Sequence, residues 1–169
     1  MKTYIALLRA INVGGTGKLT MVELRSLCEA CGFADVRTYI ASGNVVLRSA
    51  SSAAQVKAAL ESRLTRHAGK PVSVLVRSKA EMSAVLADNP FPMFAPNRTV
   101  AIFLDQPPPV DALTTVSGRQ GEEIALGKRE IYVHYGDGMA DTRLKIPAGL
   151  SGTARNINTV TKLVAMAGT

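Results

Sequence analysis

A glycine-rich basic segment near the N-terminus is the first part of the sequence that could do chemistry. Residues 12–18 read N-V-G-G-T-G-K and include Asn12, Gly14, Gly15 and Lys18. Glycines let backbone N–H groups approach an oxyanion, and a lysine adds positive charge. The spacing departs twice from the phosphate loop G-x-x-x-x-G-K-[ST], because residue 12 is Asn and residue 19 is Leu. The segment therefore predicts anion binding without nucleotide hydrolysis, and a structural turn is the alternative.

A second polar group lies at residues 42–44, within the sequence A-S-G-N. Ser42 lacks the G-x-S-x-G surroundings of a nucleophile elbow. Gly43 and Asn44 both tolerate turn conformations, and Asn44 can also cap its own turn. The group predicts a tight hairpin turn with polar side chains.

A third polar group, T-A-R-N-I-N-T, spans residues 153–159. Thr153 suits the N-cap of a final helix. Arg155, Asn156 and Thr159 would then lie near backbone N–H groups that attract a phosphate or carboxylate. A capped helix with a solvated polar face is the alternative interpretation.

The cysteines and histidines predict neither a metal site nor a cofactor. Cys28 and Cys31 form a C-x-x-C pair, but the chain has no other cysteine to complete a zinc site. Two leucines and the two cysteines follow the spacing of one apolar helix face, which favours buried, inert thiols. His67 and His134 share no local motif.

The net charge of +7 is concentrated in the first half of the 169-residue chain. Residues 1–78 contain eleven Lys and Arg against four acidic residues, whereas residues 79–169 are balanced at nine each. This excess raises nucleic-acid binding as an alternative function. No apolar run approaches the ~20 residues of a membrane span, and the N-terminus lacks a signal-peptide cleavage site. We therefore expect a cytoplasmic protein without a membrane partner.

The elements that must position these groups alternate as β-α-β-β-α-β over residues 1–78. Capping boxes at Thr20/Glu23 and Ser52/Gln55 predict the two helix starts. The four strands are predicted at 3–9, 36–40, 44–48 and 72–77, and the helices at 20–31 and from Ser52 to about Gly69. This order is typical of a ferredoxin-like unit.

The second half predicts a smaller α+β unit. After a short capped helix to about residue 87 come a strand at 99–104, a short helix at 110–116, a hairpin at 122–126 and 130–135, and a last helix at 154–167. This β-α-β-β-α order suggests an incomplete copy of the first half. The predicted fold is thus α+β, with a ferredoxin-like subdomain (1–78) packed against a second subdomain (79–169).

A ferredoxin-like sheet with strand order 4-1-3-2 would bring Arg9, segment 12–18, Thr20 and the turn 42–44 to one end of the sheet. Arg37, Arg48 and Arg77 would fall at the opposite end. Strands 1 and 4 are apolar almost throughout, so we expect both faces of the sheet to be covered. A covered sheet disfavours RNA recognition by aromatic stacking on an open face.

The three polar segments carry a resemblance to a known family. They resemble the bacterial family called domain of unknown function 1697 through R-A-I-N-V-G-G-T-G-K-L-T-M-V-E-L-R, T-Y-I-A-S-G-N-V-V-L and T-A-R-N-I-N-T-V-T-K-L. The order of these segments and the sequence N-P-F-P also match the family. The resemblance implies a two-part α+β fold and no established activity. It directs attention to Arg9, Asn12, Gly14, Gly15, Lys18, Ser42, Gly43, Asn44, Arg155, Asn156 and Thr159. Ile157 stands where the family usually has Trp.

Three functions follow from these observations. We expect a site for a small anionic or phosphorylated ligand, formed by Arg9, Lys18 and the turn 42–44, with or without Arg155 and Asn156. The alternatives are nucleic-acid binding through the basic first half and a protein-interaction module that uses the proline-rich segments 90–96 and 107–109. The sequence supplies no nucleophile–base pair, so it assigns neither a reaction nor an enzyme class.

Overall fold

The computed structural model describes residues 1–9, 19–39 and 43–169. It is an α+β protein, as predicted, with two four-stranded antiparallel sheets. The helices are α1 (Met21–Ala30), α2 (Ala53–Ala68), α3 (Lys79–Ala87) and α4 (Ile157–Ala167). The strands are β1 (Lys2–Leu8), β2 (Ala34–Tyr39), β3 (Asn44–Ser49), β4 (Val74–Ser78), β5 (Thr99–Phe103), β6 (Glu123–Leu126), β7 (Glu130–His134) and β8 (Thr153–Asn156). Within the described part of the chain, no helix is long and apolar enough to cross a membrane.

The chain divides into two compact units. The first unit contains residues 1–82 and 163–169, and the second contains residues 83–162. The assignment of residues 1–78 and 79–169 to separate subdomains stays a prediction.

The sheet of the first unit has the order β2-β3-β1-β4, which matches the predicted order and is compatible with a ferredoxin-like unit. Both capping boxes are present at the starts of α1 and α2. The start of α3 has the same reciprocal bonds, between Ser78 and Glu81. These local hydrogen bonds satisfy N–H groups at the helix starts, which explains why the short motifs located them correctly.

The first sheet is buried on both faces, as expected from its apolar strands. One face carries Tyr4, Ala6 and Leu8, which pack in a single core with side chains of α1 and α2. The alternate residues Ile5 and Leu7 are fully buried as well. Because successive strand residues point to opposite faces, this burial pattern requires cover on both sides.

A polar stripe on α2 covers the free edge of β4. Lys57, Glu61 and Thr65 are spaced four residues apart and therefore share one helix face. Thr65 Oγ1 accepts the N–H of Val72 at 3.1 Å, Glu61 Oε2 accepts the N–H of Val74 at 2.9 Å, and Lys57 Nζ donates to the Val74 carbonyl. This pairing blocks strand addition at β4, a common protection for sheet edges.

Glu61→Ala is expected to lower the free energy of unfolding by about 1–3 kcal/mol, because it removes the acceptor of a backbone N–H. Urea denaturation measures the loss. Glu61→Gln is the matched control, since it keeps an oxygen toward Val74 and should lose less. A Glu61→Ala protein within about 0.5 kcal/mol of wild type would contradict the edge-covering role.

The sheet of the second unit has the order β6-β7-β5-β8. In chain order this is the same arrangement as β2-β3-β1-β4, with short 3₁₀ turns standing between the strands where the first unit has helices. The predicted helix at 110–116 is one such turn, Ala112–Thr115. That the second unit is an incomplete ferredoxin-like copy stays a prediction, which the shared strand order supports.

The prediction of a last helix from residue 154 is wrong at its start. Residues 153–156 form β8, which pairs antiparallel with β5, and α4 begins at Ile157. Arg155 lies opposite Ala101 in this pairing. A partner strand some fifty residues away thus decides the conformation of a segment that looks helical in isolation, because tertiary pairing overrides local propensity.

Candidate functional site

Part of the predicted site lies outside the described residues. Asn12, Gly14, Gly15 and Lys18 fall within residues 10–18, and Ser42 falls within residues 40–42. The candidate site is therefore built from Arg9, Gly43, Asn44 and their described neighbours.

Three strands of the first sheet meet at one end, which we call the loop edge and define by Leu8, Gly43 and Ser73. The N–H of Leu8 donates to the Gly43 carbonyl at 2.9 Å, and the N–H of Arg9 donates to the Ser73 carbonyl at 3.0 Å. Gly43 has φ +80°, a conformation that favours glycine over residues with a Cβ. The end of β1 thus lies beside Gly43 of the hairpin turn and beside Ser73, and the convergence of the Arg9 side chain with the turn stays a prediction.

Asn44 stabilises the turn from within. Its side chain is fully buried, and Nδ2 donates to the Tyr39 carbonyl at 3.0 Å. This bond joins the end of β2 to the start of β3 across the turn. Asn44 therefore holds the backbone of the turn, in agreement with the turn-capping interpretation.

The start of α1 is already occupied by a carboxylate. Glu23 N donates to Thr20 Oγ1 at 3.0 Å, and Thr20 N donates to Glu23 Oε1 at 3.2 Å. Glu23 Oε2 also lies 3.4 Å from His67 Nε2, at the C-terminal end of α2. Since like charges repel, Glu23 disfavours a second anion directly at this helix start.

A shallow depression of about 560 Å³ lies beside the loop edge, and the sequence analysis missed it. Its lining combines one carboxylate, three hydroxyl groups, one arginine and two apolar residues: Glu61, Ser62, Thr65, Arg66, Pro71, Val72 and Ser73. Ser73 connects it to Arg9 through the backbone hydrogen bond described above. The helical spacing of Ser62, Thr65 and Arg66 was the available signal, but such spacing is also typical of any solvated helix face.

The segment 153–159 caps α4 differently from the prediction. Asn156 Oδ1 accepts the N–H of Thr159 at 2.9 Å, so Asn156 is the N-cap. Thr153 lies in β8 instead, and its Oγ1 accepts a hydrogen bond from Arg155. The assignment of Thr153 as N-cap is therefore wrong.

Arg155 is a buried arginine within a strand. It is 6% exposed, and Nη1 donates to Thr153 Oγ1 at 2.7 Å and to the Ala154 carbonyl at 3.0 Å. Burial lowers the pKa of its guanidinium to about 10. These contacts are those of a side chain that holds β8 in place.

Two of the three arginines predicted at the far end of the first sheet lie elsewhere. Arg37 and Arg77 align with Val46 and Ile5 in a row across the middle of the sheet. Arg77 is fully buried, whereas Arg37 Nη1 donates to Thr169 Oγ1 at 2.6 Å. Only the exposed Arg48, which pairs with Thr3, is near the expected end.

The cysteine environment fits thiols of low reactivity. Cys28 is fully buried in the core of the first unit, and burial raises its pKa to about 12. Cys31 is half-buried, and burial raises its pKa too. A thiol is nucleophilic only as thiolate, so neither cysteine is a candidate nucleophile near neutral pH. Among the described residues, no group of three His, Cys, Asp or Glu side chains is arranged to hold a metal ion.

Comparison with known proteins identifies a family and a solved structure of the same fold. The family model "Protein of unknown function (DUF1697)" matches residues 1–132. The structure of the conserved bacterial protein SP0830 from Streptococcus pneumoniae superposes with a TM-score of 0.80 and 28% identity, covering 98% of each chain. A search of curated proteins gave no match. With more than half of its length matched by the family model, the chain belongs to the DUF1697 family.

Proposed function

We propose that the protein binds a small anionic or phosphorylated ligand at the loop edge of the first sheet. The observation that carries the proposal is the meeting of the ends of β1, β3 and β4, where Leu8 bonds to Gly43 and the adjacent Arg9 bonds to Ser73 through the backbone. Strand ends that meet in this way offer backbone groups and side chains from several segments to one ligand.

The charges around this edge support an anion. Arg9 follows β1, and Arg66 and His67 occupy the last turn of α2, which ends at Gly69. Lys70 follows directly in the sequence. Arg9, Arg66 and Lys70 outnumber the carboxylates of Glu23 and Glu61 among these residues, and a locally positive site attracts anions.

Chain connectivity gives further support. Leu8 and Leu19 are both buried in the same core, and they bracket the segment that carries Asn12, Gly14, Gly15 and Lys18. Glycines and a lysine in the sequence between these two residues fit a phosphate- or carboxylate-binding role. Ser42 and Asn44, which belong to the neighbouring turn 42–44, are proposed as further ligand-binding residues.

Arg155, Asn156 and Thr159 form a separate part of the proposal. Their hydrogen bonds stabilise β8 and the start of α4, which explains their residue types without a ligand. They are kept as candidate ligand residues, to be tested apart from Arg9.

Arg9→Gln is expected to strongly reduce ligand-induced stabilisation, because it removes one of the cations around the loop edge. Thermal unfolding is measured with inorganic phosphate and with a panel of nucleotides and sugar phosphates. A ligand at 100 times its Kd stabilises by about 2.7 kcal/mol, which raises Tm by roughly 5–10 °C for a chain of this size. Lys18→Ala should also reduce the ligand-induced rise in Tm.

Arg25→Gln is the matched control, since Arg25 lies on the exposed side of α1 in an ion pair with Glu29. It should leave the ligand response unchanged. Equal responses in the Arg9→Gln and Arg25→Gln proteins, or a panel without any stabilising compound, would overturn the proposal.

Nucleic-acid binding is the alternative that the charge of the first 78 residues favours. Its affinity would fall steeply with salt, in proportion to the number of phosphates contacted. Among the described residues, β1, β3 and β4 are buried on both faces, which disfavours base stacking on the first sheet. Binding of a nucleic acid and of the small anion is therefore measured at two salt concentrations. A steep loss of affinity with salt indicates contacts to many phosphates, as in a nucleic acid.

A protein-interaction role is the other alternative, and exposed apolar residues in the proline-rich segments favour it. Met93 is exposed within segment 90–96, and Val110 is exposed directly after the prolines at 107–109. A pull-down without a stoichiometric partner would count against it.

A further inference from the structure

His134, which the sequence left without a role, has a defined protonation geometry. The hydroxyl of Thr99 lies 3.0 Å from the Ala95 carbonyl and 2.9 Å from His134 Nδ1. A carbonyl oxygen can only accept, so the single hydroxyl proton of Thr99 lies toward Ala95. The remaining lone pair of Oγ1 faces His134, and Nδ1 must therefore be the donor. Thr99 is fully buried, so water does not compete for these two hydrogen bonds of its hydroxyl group.

The consequence concerns the other ring nitrogen. With the proton on Nδ1, Nε2 of the neutral ring carries an in-plane lone pair. In the described part of the structure, Nε2 makes no hydrogen bond. His134 is half-buried, so this nitrogen is a preorganised acceptor on the surface of the second unit.

The plane of the imidazole is held by aromatic stacking. Phe94 lies with its ring centroid 4.2 Å from that of His134 at an interplanar angle of 19°. Phe91 continues the stack, 5.8 Å from Phe94 at 28°. Met93 is 72% exposed and Phe94 is 37% exposed. We call these four residues, Phe91, Met93, Phe94 and His134, the aromatic patch.

We propose that the aromatic patch binds a planar heteroaromatic ligand that donates an N–H to His134 Nε2, the chemistry of a nucleobase. A donor that meets the lone pair of Nε2 lies in the plane of the imidazole. Because the Phe94 ring is within 19° of that plane, a flat ligand in the plane of the imidazole lies nearly parallel to the aromatic face of Phe94. A ligand without an N–H leaves the acceptor unpaired, and a non-planar ligand loses the stacking.

The ligand class is thus set by two features acting together, a fixed acceptor and a parallel ring. The proposal is independent of the anion site, since it uses only residues 91–134 of the second unit. Metal binding is a poorer fit, because no other metal-ligating side chain joins His134 in a three-membered cluster among the described residues.

NMR of the ¹⁵N-labelled full chain tests the proposal without a substitution. The chain contains two histidines, so His67 is an internal reference. Long-range ¹H–¹⁵N spectra at a pH where His134 is neutral should show the Nδ1–H tautomer. Uracil should shift the Nε2 resonance of His134 saturably and leave that of His67 unchanged. 1,3-Dimethyluracil, which has the same ring without an N–H, should bind about tenfold more weakly.

Two variants extend the test. His134→Phe keeps an aromatic ring and removes the acceptor, so it should equalise the two compounds. His67→Gln is the matched control and should retain the full preference for uracil. An Nε2–H tautomer, an unsaturable response at His134, or equal binding of both compounds to the wild-type chain would each overturn the proposal. The wild-type measurements decide these points even where His134→Phe fails to fold.

Discussion

Arg155→Ala is expected to lower the free energy of unfolding by about 2–4 kcal/mol, among the largest effects of a single substitution in this chain. The side chain is 6% exposed and makes hydrogen bonds to Thr153 and to the Ala154 carbonyl. Truncation would leave a cavity beside β5 and remove the donor from the Thr153 hydroxyl. Chemical denaturation followed by circular dichroism measures the loss.

Arg155→Met separates packing from charge. Methionine fills much of the same volume without a buried charge, and replacing buried charges by apolar groups of similar size often costs little. It should therefore be markedly more stable than Arg155→Ala. Arg143→Ala, at an exposed position of the same unit, is the surface control and should lie within about 0.5 kcal/mol of wild type.

The same variants decide whether Arg155 belongs to the proposed ligand site. If it is structural alone, a folded Arg155→Met protein keeps the thermal response to the stabilising anion. Loss of that response in a stable Arg155→Met protein would place Arg155 in the site. A fully stable Arg155→Ala protein would refute the structural role.

Alkaline pH is expected to reduce the stability of the wild-type chain, with Cys28 as a main contributor. Burial raises the pKa of this thiol from an ordinary value of 9.0 to about 12. Below pH 9 the thiol is protonated in both states, so its contribution does not vary with pH. Above pH 9 the unfolded chain releases the proton and the folded chain retains it, so the free energy of unfolding falls until the folded pKa is reached. Between pH 8.5 and 10.5 the fall is about 2 kcal/mol.

Cys28→Ala should flatten this part of the pH profile, whatever its stability at neutral pH. Urea unfolding at half-unit steps of pH gives the slope of the free energy of unfolding against pH for the wild-type and the Cys28→Ala proteins. Tyr132 contributes with the same sign above pH 10, since burial raises its pKa. Arg155 has the opposite effect on the free energy of unfolding. Its pKa is lowered in the folded chain, so the folded chain releases this proton at a lower pH than the unfolded chain, and stability rises with pH in that range. Identical slopes for wild type and Cys28→Ala would contradict the assignment to Cys28.

The first unit illustrates what local sequence can predict. The capping boxes at Thr20/Glu23 and Ser52/Gln55 located two helices to within a residue, because their hydrogen bonds join positions only three apart. The strand order also matched, since alternating short elements leave few ways to bury their apolar faces. The meeting of the end of β1 with the Gly43 turn followed from that order.

The second unit shows where such reasoning fails. β8 contains four residues and exists because it pairs with β5, so its sequence alone resembles a helix start. The 3₁₀ turns that stand in place of helices follow no apolar period long enough to be recognised. Short elements depend on distant partners for their stability, and their local signal is correspondingly weak.

Sequence alone determined the α+β class, the family and the residues worth testing, because these depend on local hydrogen bonds, apolar periodicity and residue type. Only the tertiary structure decided what those residues do: Asn156 caps α4, Arg155 is buried in β8, Asn44 closes a turn and His134 presents an acceptor. The physical reason is that burial and hydrogen-bond partners are properties of the packed chain. Thr99 and His134 are thirty-five residues apart, and only their pairing across β5 and β7 determines which imidazole nitrogen holds the proton.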